Sequence, residues 1–138
     1  MNVEQAPALR EVAVKIISHD VCKQPDWYGH VYDEQSMLCA GYEEGGKDSC
    51  TGDSGGPLQC MTPSGRWKLA GVVSTGAGCA KARYPGIYVN VAKLLGWIQK
   101  YFRGIYVDYL LLIIWCFKLI IFCMCTFDTN VYLLSQTV

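Results

Sequence analysis

Net charge is absent from this chain, in which twelve lysines and arginines balance twelve aspartates and glutamates. A balanced chain gives no electrostatic reason to bind nucleic acid or an anionic membrane surface. Histidine is scarce, with only His19 and His30 available as neutral-pH bases. The eight cysteines include no CxxC pair, so the spacing of a zinc ribbon or a dithiol redox centre is missing. They read instead as a disulfide framework, which places the chain in an oxidising, secretory or extracellular compartment. Residues 1–7 carry neither a basic n-region nor an apolar h-region, so no signal peptide is read there and the chain looks like a fragment of an exported protein. With 138 residues, there is room for one domain with its own core and not for two.

The most informative stretch is Asp48-Ser49-Cys50-Thr51-Gly52-Asp53-Ser54-Gly55-Gly56-Pro57, which sets one hydroxyl among residues that permit tight turns. An alcohol is unreactive at its own pKa, so a nucleophilic Ser54 needs a base to take its proton and donors to hold the oxyanion its attack creates. Gly52 and Gly55 lack a Cβ, so the chain here can fold tightly enough for the N–H groups of Gly52 and Ser54 to converge beside the hydroxyl. The plain alternative is a glycine-rich turn that happens to contain a serine.

Around this stretch the pattern is that of strands. Val12, Val14 and Ile16 alternate with Ala13 and Lys15, as in a strand with one buried face. Ser18 or Asp20 suits the cap of a short helix that ends between Pro25 and Gly29. Met37-Leu38-Cys39-Ala40 reads as another strand, and Glu43 to Gly46 as a polar loop leading into the serine segment. Leu58-Gln59-Cys60-Met61 and Trp67 to Val73 form a hairpin across Thr62 to Arg66. Asn90 then caps an amphipathic helix with Val91, Leu94, Leu95, Ile98 and Phe102 on one stripe, Trp97 and Tyr101 being read as packing residues.

The run Gly52-Asp53-Ser54-Gly55-Gly56-Pro57 resembles the nucleophile loop of the trypsin-like, chymotrypsin-fold serine proteases. Cys50 and Asp48 before it, and Gly71-Val72-Val73-Ser74, Gly78-Cys79 and Pro85-Gly86-Ile87-Tyr88-Val89 after it, stand in the family's order from about Ala8 to about Arg103. The resemblance implies an all-β fold: part of the second, antiparallel β-barrel of that family over 8–103, with one C-terminal helix, flanked by an unassigned 1–7 and an apolar tail at 104–138. It implies Ser54 as nucleophile, Gly52 as an oxyanion-hole donor and Asp53 as support for that loop. Asp48 would form the floor of the substrate pocket, with Ser49, Ser74, Gly76 and Gly86 lining it. A carboxylate there repays its desolvation only by pairing with a cation, so cleavage would follow Arg or Lys. The plain alternative for Asp48 is a solvated residue in a polar loop. Cys22 would bridge Cys39, and Cys50 would bridge Cys79, whereas Cys60 matches a cysteine whose partner lies upstream and would be unpaired or mispaired here. Polypeptide substrates and protein protease inhibitors are the implied partners; no metal and no cofactor is required. Thr75 departs from the family, which usually carries Trp there.

The same resemblance exposes gaps. The family's Ala-His-Cys histidine and its orienting aspartate both belong upstream, and His19 and His30 match loop positions, so the chain is expected to be inactive as written. Asp53 would face no new amino terminus, and the opening strand of the barrel would be missing, leaving an open edge prone to aggregation. The missing amino-terminal half of the protease domain is thus an expected partner. In the tail, Tyr109 to Phe127 could span a membrane at about 28 Å as a helix, although Lys118 at its middle costs about 3 kcal/mol. Lys93, Lys100 and Arg103 on its protease side would orient the disulfide domain to the cytosol, so a membrane segment, non-native sequence and a buried or aggregating stretch all stay open. Cys116, Cys123 and Cys125 receive no role. The competing functions are a non-catalytic binding module or decoy, and a fragment with no function of its own.

Overall fold

The computed structural model describes residues 8–105 and 130–135. Every strand in it is antiparallel to its neighbours, and the strands close on themselves as a barrel. In chain order they are β1 (Arg10–Ile17), β2 (Met37–Gly41), β3 (Pro57–Met61), β4 (Trp67–Thr75), β5 (Gly86–Asn90) and β6 (Asn130–Ser135). Round the barrel the order is β1-β2-β5-β4-β3-β6. Two helices accompany them, the one-turn α1 (His19–Cys22) and α2 (Val91–Ile105).

Local chemistry explains most of these elements. In β1 the β-branched side chains put Val14 fully inside while Lys15 stays exposed, as strand periodicity requires. The Ser18 hydroxyl accepts the Val21 N–H and starts α1, and the Asn90 carboxamide accepts the Lys93 N–H and starts α2. Each cap satisfies a donor that the first helical turn leaves over. The β3–β4 hairpin closes through Thr62 N–H to the Arg66 carbonyl at 2.8 Å. Along α2, Val91, Leu94, Leu95 and Ile98 are half-buried, whereas Trp97 and Tyr101 are exposed and stack on each other with centroids 4.8 Å apart. The two rings are therefore not core residues.

The core consists of Val14, Leu38, Ala40, Leu58, Cys60, Val73, Tyr88, Val131 and Leu133. Two of its fully buried members, Val131 and Leu133, come from the tail, and this corrects the expectation of an open edge. β6 pairs with β1 from Arg10↔Ser135 to Lys15↔Asn130 and with β3 from Leu58↔Leu133 to Cys60↔Val131. Its alternation is right for the slot: Val131 and Leu133 point inward, while Tyr132 points outward and meets Trp67 edge-on at 5.2 Å. Residues 130–135 thus pack on the barrel. The candidate membrane segment 109–127 lies outside the described residues, among which no helix is long and apolar enough to cross a membrane.

Cysteine pairing follows the expected scheme in two places and departs from it in one. Cys22 bridges Cys39, and Cys50 bridges Cys79. Cys60 is also disulfide-bonded, so of the two outcomes expected for it, unpaired or mispaired, the first is corrected.

Truncation of a fully buried leucine removes transfer free energy and leaves a cavity, at about 2–5 kcal/mol. Leu133→Ala in the full chain is therefore expected to lower unfolding free energy by that amount in urea titration. Val31→Ala, at an exposed position, should change it by less than about 0.5 kcal/mol.

Candidate active site

The serine segment is held from below, and its apex is left open. The Asp53 side chain is buried and its Oδ2 accepts the Cys50 N–H at 2.9 Å. Asp53 also has a further interaction besides this bond. Two turns follow, through Asp53 N–H to the Cys50 carbonyl at 3.0 Å and Gly56 N–H to the Asp53 carbonyl at 2.8 Å. They force positive φ at Gly52 (106°) and Gly55 (84°), a region that side chains with a Cβ avoid. The loop is then fastened to β4 by reciprocal bonds, Gly55 N–H to the Val73 carbonyl at 3.0 Å and Val73 N–H to the Gly56 carbonyl at 2.9 Å. Between these anchors Ser54 is exposed. Among the described residues, the N–H groups of Gly52 and Ser54 donate to no backbone carbonyl outside the regular elements.

On the other side of Cys50 the structure gathers Ser49, Ala80 and Gly86 around Asp48. Its Oδ1 accepts the Ser49 N–H at 2.8 Å and its Oδ2 accepts the Ala80 N–H at 3.0 Å. The Cys50–Cys79 bridge ties these two stretches together. Burial raises the Asp48 pKa above the ordinary value of 3.8, opposed by the N–H bonds of Ala80, Ser49 and Gly86. No lysine or arginine neutralises it among the described residues, where the ion pairs are Lys23–Glu34, Arg83–Asp26 and Arg83–Glu43. The carboxylate is solvated by backbone dipoles rather than by a cation among the described residues.

Gly86 owes its place to this approach. A Cβ there would stand 2.5 Å from Asp48 Oδ1 and 2.9 Å from the Tyr88 hydroxyl, so any larger residue pushes into the carboxylate. Ser49 is buried, and the Tyr88 hydroxyl reaches its Oγ at 3.5 Å. Ser74 and Gly76 are exposed on the strand end and turn that follow Val73. The structure therefore brings Asp48, Ser49 and Gly86 together directly. Ser54 and Gly52 stand on the adjacent loop, and Ser74 and Gly76 on the segment leading to Cys79.

Tyr28 is the contributor that sequence reading overlooked. Its hydroxyl donates to the Pro85 carbonyl at 2.5 Å and accepts the Ala77 N–H at 3.4 Å, pinning the segments on either side of Cys79. Burial raises its pKa, with Asp48 adding to the rise. A tyrosine after Pro25-Asp26-Trp27 carries no local signal that it reaches residues so distant in sequence. The histidines are placed elsewhere. His19 Nδ1 shares a 2.5 Å hydrogen bond with the Tyr32 hydroxyl beside the Cys22–Cys39 bridge, and His30 lies in the short turn Gly29–Val31. No histidine is hydrogen-bonded to Ser54 among the described residues, nor do these residues hold a cluster of His, Cys, Asp or Glu able to bind a metal.

Comparison with known proteins gives one consistent answer. The family model described as Trypsin matches residues 2–98. A rat (Rattus norvegicus) protein described as transmembrane protease serine 9 is 46% identical over 98 residues, which is 71% of this chain and 9% of the relative. The Drosophila melanogaster serine proteinase stubble is 46% identical over 97 residues, 69% of this chain and 12% of the relative. The chain thus spans about a tenth of the length of these relatives.

If the Asp48 carboxylate is the cation-binding group, a flat monocation such as benzamidine should bind the full chain and lose affinity as the pH falls. The sign follows from the raised pKa: protonation removes the counter-charge, so the midpoint of the loss in a calorimetric titration should lie above 3.8. Gly86→Ala should weaken the same binding at neutral pH by about tenfold or more, because the new methyl displaces the carboxylate.

Proposed function

Because the chain belongs to the trypsin family of serine proteases, we propose that it supplies the nucleophile and specificity pocket of an endopeptidase that cuts after Arg or Lys. The observation that carries this reading is the half-buried Asp48, held by backbone N–H groups, without a lysine or arginine partner among the described residues, on the same disulfide-tied segment as an exposed serine. In that role Asp48 binds the substrate guanidinium or ammonium, and Gly86 and Gly76 keep the entrance open. Ser54 Oγ attacks the carbonyl that follows the basic residue. The N–H groups of Gly52 and Ser54 take the developing oxyanion, and Asp53, anchored on Cys50, holds the turn that presents them. The proton of Ser54 must pass to an imidazole that neither His19 nor His30 provides, so chemistry requires a histidine-bearing partner segment such as the other half of a protease domain. No cofactor enters this reaction.

This half-site works on polypeptides outside the cytosol, in line with the disulfides Cys22–Cys39 and Cys50–Cys79. Protein inhibitors that present a basic residue would dock on the same pocket. The second reading, a non-catalytic binding module, is favoured by one observation: His19 is engaged by Tyr32 rather than by Ser54. In that reading the pocket captures basic peptides and releases them uncut.

Activity-based labelling separates the two. The chain alone should show no fluorophosphonate labelling of Ser54, since a serine without a positioned base is an ordinary alcohol. Joined to a half-domain bearing an Ala-His-Cys motif and an activation terminus, it should cleave after Arg or Lys, and Ser54→Ala should abolish turnover. Asp48→Ser in that protein should cost about 2–5 kcal/mol of transition-state binding, read as at least a 30-fold loss in kcat/KM for arginine substrates. Binding of basic peptides with no cleavage by the joined protein would favour the module.

A further inference from the structure

β6 lies outside the segment that matches the family, which ends at residue 98, yet it completes the barrel. β1 and β3 pair with β2 and β4 on their other edges and not with each other. Between them is a gap one strand wide, about 9–10 Å from β1 to β3 given the usual interstrand spacing. Both of its walls are rows of backbone N–H and C=O groups. Its floor is the apolar interior formed by Val14, Leu58 and Cys60, and its outer rim carries the exposed Trp67. β1 to β5 are paired continuously in the order β1-β2-β5-β4-β3, and the sixth strand adds to both outer edges of that run. That is the geometry of strand-addition recognition, in which main-chain bonds give affinity and alternate side chains give selectivity.

We propose that the gap between β1 and β3 is a strand-acceptor site. Its ligand is an extended segment with the pattern of residues 130–135, filled here by the chain's own Asn130–Ser135 and open to exchange with the same segment of a second copy. The strand runs antiparallel to both walls, sets Val131 and Leu133 in the core, and turns Tyr132 outward onto Trp67. Occupancy also bears on the serine loop. A Cβ placed on Gly56 would meet the Leu134 carbonyl oxygen at 3.5 Å, so the β6 backbone lies directly behind the turn that carries Ser54. Filling the site braces that turn, and emptying it removes one of the turn's supports.

The test uses the full chain with a specific protease site inserted after Thr126, beyond the last cysteine, so that cleavage frees residues 127–138 from the covalent chain. A fluorescent peptide of residues 128–138 should then exchange into the barrel, seen as a rise in anisotropy. The Leu133→Asp peptide should bind at least tenfold more weakly, and a Tyr132→Ser peptide should be weakened by a smaller factor. Hydrogen exchange at the Gly55 and Gly56 amides should accelerate when the cleaved strand is diluted away and slow again when peptide is restored. Equal binding of the wild-type and Leu133→Asp peptides would overturn the proposal, as would failure of any peptide to exchange. Loss of the strand with amide protection and cooperative unfolding unchanged would overturn it too. None of these readouts depends on peptidase activity.

Discussion

A barrel strand needs a partner on each edge, and in this molecule that constraint is met only because residues 130–135 fit between β1 and β3. An unfilled gap would leave two facing rows of backbone donors and acceptors beside an apolar interior, the arrangement that invites association with other chains. The fit demands more than hydrophobicity. A one-residue slip would bring Tyr132 inside and turn Val131 and Leu133 to solvent, because side chains alternate with period two. The Trp67–Tyr132 contact outside and the two aliphatic side chains inside therefore fix one register between them.

From that closed barrel the site follows by short covalent and hydrogen-bonded steps. β4 holds the serine turn through Val73, and β5 delivers Gly86 to Asp48. The Cys50–Cys79 bridge then links the turn to the wall that carries Ala80. The two charged groups of the segment are treated oppositely by their surroundings. Asp53 faces inward and stabilises the loop by accepting Cys50, whereas Asp48 is raised in pKa by burial and meets no lysine or arginine among the described residues. A loop built to be stable on its own would have little use for the second arrangement. Its cost fits the role of cation-binding group given to Asp48 in the proposed function.

Much of this was legible in the sequence, and the reasons differ from residue to residue. Val12, Val14 and Ile16 announced β1 by alternation, Asn90 and Ser18 announced helix starts by their capping chemistry, and the glycines around Ser54 announced positive φ. The pairings of Cys22 with Cys39 and of Cys50 with Cys79 came from family resemblance, since spacing alone does not choose among partners. Tyr28 could not be found because its partners Ala77 and Pro85 are brought to it only by the fold. β6 was hidden for a related reason. Val131, Leu133 and Leu134 follow a long apolar run, and hydropathy there dominates the weaker alternation of a short strand. Its pairing with β1 spans almost the whole chain, a separation at which local pattern carries no information.

The account rests on β6 occupying its slot in the stated register, and backbone nuclear Overhauser contacts in the isotopically labelled full chain measure this directly. Cross-strand contacts of Tyr132 with both Ala13 and Gln59 are expected, together with contacts of Leu133 with Val12 and Leu58, as the observed pairing requires. Contacts of Tyr132 with only one of the two walls, or a register displaced by one residue, would contradict the closure on which the positions of Ser54 and Asp48 depend.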